Sequence, residues 1–383
     1  MKQLKTRVAV MFGGRSGEHE VSLRSAASVI RNLDKERFEI LPIAVEKSGR
    51  WAWIALDKLE HAGESLKIPA SAPEVVLAPR SVDGQACFWI DEAGGKETVM
   101  ADVVFPVIHG TFGEDGCLQG LFELAEVAYV GCGVLASSVG MDKDMAKRVI
   151  RDAGLPIVPF VLLEKAHFET SPTKVTAEIA VQISKELSFP VFVKPANMGS
   201  SVGIHKVKEA KALQAALEDA FQYDTKLVIE KALSVREIEM SVLESLKYGE
   251  PAQVSLPGEV IPSTSTHEFY SYEAKYLDEN GAALQIPAKL TPEQTKRAQQ
   301  IGVQAFQALS GEGMARCDLF LDKDSGEFYF NEVNTIPGFT SISMYPKMWE
   351  ASGLSYANLL SRLVDLAIER RKRKSALSRE FKP

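Results

Sequence analysis

The sequence predicts an α/β protein with more than one domain, and three observations lead there. Apolar strand-like runs end in glycine-rich loops at Arg7–Phe12 (then Gly13-Gly14-Arg15-Ser16-Gly17), at Val103–Ile108 (then His109-Gly110-Thr111-Phe112-Gly113-Glu114-Asp115-Gly116) and at Phe189–Lys194 (then Gly199-Ser200-Ser201-Val202-Gly203). Helical periodicity follows the first loop, with Leu23, Ala26, Ala27, Ile30 and Leu33 on one face. Finally, 383 residues at 45% apolar content can fill two or three cores. A net charge of −7 argues against a dedicated nucleic-acid binder. The basic run Arg370-Arg371-Lys372-Arg373-Lys374 reads as the end of a helix, where cations suit the dipole, ahead of a polyanion site. Cys87, Cys117, Cys132 and Cys317 show no CxxC spacing, so neither a zinc site nor a disulfide framework is expected. The apolar run Val8–Phe12 is too short for a signal segment and nothing approaches a membrane span, which leads to a cytoplasmic expectation.

Taken in order, the first strand, its glycine loop and a helix over about 18–33 form an anion or small-ligand site. The spacing is GGxxG and not the dinucleotide GxGxxG, which disfavours a nicotinamide enzyme. Glu18 and Glu20 suit the first helical turn equally well as dipole partners or as ligand groups. A second strand is expected at Phe38–Val45, and residues 46–100, with Pro69, Pro73, Pro79 and Gly84, read as an insertion of hairpins. The strand at 103–108 delivers His109 to the carboxyl end of the sheet, where ligands of open α/β sheets gather. A helix over 136–152 carries Met141-Asp142-Lys143, and Gly154-Leu155-Pro156 ends it. The strand ending in Lys194 precedes a Gly-Ser loop able to turn its N–H groups around phosphate, although no P-loop is present. A helix near 209–221 and strands at 227–231 and 236–242 follow. Residues 255–287, rich in proline and serine, read as a closing loop. A helix at about 292–309 leads to a hairpin at 313–335, and a terminal helix starts near Ser355.

In that hairpin Cys317, Leu319 and Leu321 alternate with Arg316, Asp318 and Phe320, and Asp322–Gly326 is the turn. Pairing brings Asp318 near Glu332 and Asn334, a hard-oxygen set suited to Mg²⁺ or Mn²⁺. Read alone, it is as well a solvated charged face.

Together the blocks resemble the D-alanine–D-alanine ligase family of the ATP-grasp superfamily. The resemblance rests on Gly13-Gly14-x-Ser16-x-Glu18-x-Glu20-Val21-Ser22, His109-Gly110-x-x-Gly113-Glu114-Asp115-Gly116, Met141-Asp142-Lys143, and Lys194-Pro195 with the 199–203 loop. It continues in Tyr272-Glu273-Ala274-Lys275-Tyr276, Arg316-x-Asp318 and Glu332-x-Asn334-Thr335-x-Pro337-Gly338. These span residues 8 to about 346 in the family's order. The resemblance implies an ATP-grasp fold with an N-terminal open parallel-sheet domain and three subdomains. They are 1–142 (substrate), 143–233 (central) and 234–383, the last carrying the closing loop 255–287 and the metal hairpin 313–335.

The implied reaction joins two D-alanines through a D-alanyl phosphate, using ATP and two Mg²⁺ or Mn²⁺ ions, for peptidoglycan precursors. By the family's pattern Asp318, Glu332 and Asn334 hold the metals, and Lys143, Lys194 and Lys275 neutralise the phosphates. Ser200, Ser201, Glu230, Lys231, Leu233, Glu237 and Phe269 complete the ATP site. Glu18 and His109 meet the first D-alanine, and Ser343 with the Met344 N–H takes the carboxylate of the second. Arg316 and the Gly338 N–H stabilise the oxyanion, and Tyr276, Ser200 and Glu18 form a network that secures the loop. The Tyr-x-x-Lys-Tyr pattern favours an amine acceptor over D-lactate. Relatives of this kind are homodimers. Rival readings are a D-lactate-type or other ATP-grasp ligase and a nucleotide-binding regulatory protein without turnover. No role is assigned to Arg15 or Glu114.

Overall fold

The computed structural model describes residues 4–92, 95–262 and 282–380. Its first sheet has seven strands, in spatial order 95–101, 86–92, 74–77, 51–53, 38–45, 6–13 and 103–106. The strands Phe38–Val45, Thr6–Gly13 and Val103–Pro106 are parallel, as their buried apolar runs require. The hairpins of the 46–100 insertion extend the same sheet with antiparallel strands. Helix His19–Asn32 covers one face, sharing a core with the C-terminal helix Tyr356–Ser375 through Leu359, Leu363 and Val364.

A second, four-stranded antiparallel sheet runs in the order Phe160–Glu164, Lys226–Lys231, Val191–Pro195 and His205–Val207. Helices Pro172–Glu186 and Leu213–Ala220 seal it with Val175, Ile179, Ile183 and Leu217. The third sheet places Met314–Asp322 between Val235–Leu243 and Phe328–Asn334. Helix Pro292–Ala308 packs on it, opened by a capping box between Thr291 and Gln294 with proline at the first helical position.

Two expectations change. The 136–152 helix is two helices, Val134–Met141 and Lys143–Asp152. Asp142 is extended between them and accepts the Asp144 and Met145 N–H groups, so it starts a helix where continuous periodicity hid the break. The closing loop 255–287 is shorter at both ends. Gly258–Pro262 pairs with Val235–Leu243 and with Ala282–Gln285, so Val260 and Ile261 belong to a strand despite the flanking prolines.

The basic run closes the molecule. Arg370 is buried, donates to the Gly131 and Tyr129 carbonyls at 2.5 Å each and lies 4.4 Å from the Tyr129 ring centre. Arg371, Arg373 and Lys374 reach Glu126, Glu244 and Glu123, tying the first sheet's surroundings to the third's. Arg370→Ala strands two carbonyls and the neighbouring Glu312, so we expect a loss of about 3 kcal/mol in stability. Lys372→Ala, whose partner Glu369 is an exposed neighbour on the same helix, should change it by no more than about 0.5 kcal/mol. Thermal melting of both variants checks the contrast.

Candidate active site

The first wall of the cleft comes from the N-terminal sheet. Gly14 sits at φ +104°, and a Cβ there would lie 2.6 Å from Ile108, so the turn admits glycine alone. The turn leads to Glu18, which stands at the N-cap of the first helix without capping it. Its carboxylate instead accepts a short hydrogen bond from Ser200 of the second sheet's loop, 182 residues away. Glu18 is therefore more than a dipole partner. Glu20 is an exposed ion pair with Lys47, and there the plain surface reading holds.

Ser200 and Ser201 are themselves held at φ +50° and +59°. Left-handed serines next to Gly199 cost conformational energy that the surroundings must offset. The loop approaches closely as well, because a Cβ on Gly199 would lie 3.0 Å from Glu18.

His109 is buried beneath this wall. Its Nδ1 is 2.9 Å from the Ile336 carbonyl and its Nε2 is 2.9 Å from Ser25 Oγ. A carbonyl only accepts, so Nδ1 carries the proton and Ser25 donates to Nε2. Ser25 Oγ in turn accepts the Phe339 N–H at 3.2 Å. Glu114, buried nearby, accepts the N–H groups of Gly110 at 2.8 Å and Ile336 at 3.1 Å. Burial, then the Glu18 charge, pushes Glu114 up to about 8. The segment Ile336–Phe339 is thus gripped on both sides of Gly338 by three side chains, of which only His109 was singled out from the sequence. The contacts of Glu114 and Ser25 with this segment carried no local signal, since Ile336 and Phe339 lie more than 200 residues further along the chain.

Burial also depresses His109 to about 4, with Arg316 adding to the effect against the Ile336 hydrogen bond. Above pH 6.5 the ring is neutral folded or unfolded, and no penalty arises. Between pH 6.5 and 4 the unfolded chain takes up a proton that the folded chain refuses, so stability falls as pH falls, by on the order of 3 kcal/mol. The imidazole C–H resonances should titrate near pH 4. A midpoint near 6.5 in the folded protein would contradict the buried, neutral ring.

The second wall carries lysines. Lys143, at the start of its helix, donates to the Met198 carbonyl at 2.7 Å and lies 3.6 Å from Glu332. Lys194 closes its strand with Nζ 2.5 Å from Glu230, flanked by the rings of Phe192 and Phe320. Glu230 also faces Lys147 at 2.9 Å. Against the opposing effect of burial, the two ammonium groups hold its carboxyl down to about 2. Lys147 was not singled out from the sequence, although it lies one turn beyond Lys143 on the same helix face. Glu237 and Leu233 are partly exposed at this edge and Lys231 is exposed. Phe269, Lys275 and Tyr276 lie outside the described residues.

The floor is the hairpin. Asp318 pairs with Glu332 and Arg316 with Asn334 across the two strands, putting all four on one face. Arg316 is a fork on Asp318, at 2.7 and 2.6 Å, and reaches Glu239 at 3.1 Å. Asn334 donates to Asp318 at 3.0 Å. Among the described residues no three His, Cys, Asp or Glu side chains form a metal cluster. The set here is two carboxylates and an amide, hard oxygen donors that fit Mg²⁺ or Mn²⁺. Beyond the hairpin, Ser343 Oγ accepts the Thr340 N–H at 3.0 Å and precedes helix Met344–Ala351. A Cβ on Gly338 would come within 2.7 Å of that oxygen.

Residues 7–132 match the family model "D-ala D-ala ligase N-terminus" and residues 149–365 match "D-ala D-ala ligase C-terminus". The chain is 52% identical to D-alanine--D-alanine ligase A of Bradyrhizobium diazoefficiens, over 98% of this chain and 99% of that one. It is 42% identical to D-alanine--D-alanine ligase A of Escherichia coli, over 97% and 98%. Among solved structures it resembles the D-alanine-D-alanine ligase from Coxiella burnetii, with a TM-score of 0.81 and 35% identity over 97% of this chain and 96% of that one. It also resembles VanG D-Ala:D-Ser ligase from Enterococcus faecalis, with a TM-score of 0.78 and 36% identity over 95% and 100%.

Proposed function

As the chain belongs to the D-alanine–D-alanine ligase family and joins two D-alanines at the expense of ATP for cell wall synthesis, we propose how its residues share that reaction. A first D-alanine carboxylate oxygen attacks the γ-phosphorus, releasing ADP and leaving a D-alanyl phosphate. The amine of the second D-alanine attacks that carbonyl carbon and loses a proton, and phosphate departs with the bridging oxygen. The observation that carries this reading is the hairpin register, which puts Arg316, Asp318, Glu332 and Asn334 on one face.

Asp318, Glu332 and Asn334 are the residues to hold two Mg²⁺ or Mn²⁺ ions, which when bound supply positive charge to the phosphate oxygens. Lys143 and Lys194 neutralise the phosphates, joined by Lys275 from the segment outside the described residues. Ser200 and Ser201 present the Gly-Ser loop, while Glu230 and Lys231, partly through backbone groups, line the adenine and ribose pocket with Leu233 and Glu237, and Phe269 covers the base. Glu18 holds the ammonium of the first D-alanine, with neutral His109 beneath it. The Arg316 fork and the Gly338 N–H receive the oxygen of the tetrahedral intermediate. That N–H is presented by a segment already fixed at Ile336 and Phe339, so little reorganisation is needed. Ser343 and the Met344 N–H accept the second carboxylate. Tyr276 extends the Ser200–Glu18 contact into a network that closes the site and excludes water from the acyl phosphate.

We place the domains at 1–142, 143–233 and 234–383, and read the protein as a cytoplasmic homodimer. Among the described residues no helix is long and apolar enough to cross a membrane.

Mass spectrometry of products formed from ATP, Mg²⁺ and D-alanine, alone or with D-serine or D-lactate, tests the substrate assignment. D-alanyl-D-alanine should dominate in all three mixtures. Preferential formation of a mixed dipeptide or depsipeptide would overturn it.

A further inference from the structure

The nucleotide wall contains a buried charge that the reaction does not call for. Lys147 has no exposed side-chain surface, and its ammonium faces Glu230 Oε1 at 2.9 Å. Both atoms are sealed from solvent, so this ion pair is their main interaction. Glu230 gives its other oxygen to Lys194 at 2.5 Å. One carboxylate thus sits between two ammonium groups with different surroundings. Lys147 is sealed under its helix, whereas Lys194 ends a strand at the cleft between the Phe192 and Phe320 rings. A carboxylate this deep is very costly without a cation, so Lys194 could not leave Glu230 if it were the sole partner.

We propose that Lys147 is the standing counterion of Glu230, and that it frees Lys194 to move from Glu230 to the nucleotide phosphates. Lys147 is then a positioning residue for ATP that touches no substrate. The surrounding charges agree, since three lysines (143, 147 and 194) face two carboxylates, Glu230 and Glu332. Drawing Lys143 and Lys194 toward triphosphate still leaves Glu230 neutralised. A lysine kept for stability alone would affect both substrates alike or neither.

The inference rests on ATP phosphates being met by Lys194, so the test includes that residue. Binding of the non-hydrolysable analogue AMP-PNP with Mg²⁺ is measured by calorimetry for the full chain and for Lys194→Met, Lys147→Met, Glu230→Gln and Lys147→Met/Glu230→Gln. Lys194→Met should weaken binding about tenfold or more; no effect there would remove the nucleotide placement itself. Lys147→Met should also weaken binding about tenfold, with KM for D-alanine unchanged within about twofold. In the Glu230→Gln background, where no buried anion needs a counterion, the same change should matter by less than about threefold. Equal losses in both backgrounds, or a loss shared by D-alanine, would overturn the proposal, as would no loss when Lys194→Met has one. Should Lys147→Met fail to fold, the comparison of Glu230→Gln with the double variant decides. Near-equal binding supports the proposal and a tenfold gap refutes it.

Discussion

Arg316→Met should lower kcat by about 10²–10³ while the protein stays folded, because in the proposed mechanism it removes a donor aimed at charge that develops on oxygen. The guanidinium is partly buried and anchored by Asp318 on one side and Glu239 on the other. It therefore needs no reorientation when the tetrahedral oxyanion forms. Arg316→Lys should recover only part of the rate, since a point charge cannot keep the fork on Asp318 and also face the substrate. Steady-state kinetics at saturating ATP and D-alanine checks both variants. A rise in KM with kcat untouched would move Arg316 from the intermediate to ground-state binding.

Asp318→Asn is the second large effect, expected on the order of 10³ in kcat/KM. Asp318 is where the hairpin's interactions converge, accepting from Arg316 twice and from Asn334 once. An amide there keeps the shape, removes the anion and turns one acceptor into a donor facing Asn334 and Arg316. The Mg²⁺ concentration for half-maximal rate should rise along with the loss. A variant with the wild-type Mg²⁺ dependence would show that Asp318 serves only to orient Arg316.

Much of this site was legible because strand periodicity is local. The alternation through Arg316, Asp318 and Phe320, the polar turn after Leu321 and the return through Glu332 and Asn334 fix which side chains share a face. The glycine turn at 13–14 could be read for the same reason, since its conformation follows from the residues themselves, whereas left-handed Ser200 and Ser201 are held by their surroundings. The hidden parts depend on distant partners. Lys147 looks like any lysine on a helix until Glu230, 83 positions later, is folded against it. Glu114 and Ser25 acquire meaning only when the segment at 336–339 is laid over them. The break at Asp142 was masked because one capping aspartate leaves the apolar spacing on both sides intact. Strand Gly258–Pro262 was obscured by prolines that bracket it without interrupting its pairing.

The central claim is that an oxygen of the first D-alanine becomes part of the departing phosphate at this face. D-alanine carrying ¹⁸O in its carboxylate, incubated with the enzyme, ATP and Mg²⁺, gives phosphate whose mass reports the event. One ¹⁸O atom should enter inorganic phosphate for each D-alanyl-D-alanine formed. Unlabelled phosphate alongside dipeptide would mean that no acyl phosphate forms, and the roles given to Arg316, Gly338 and the hairpin would have to be abandoned.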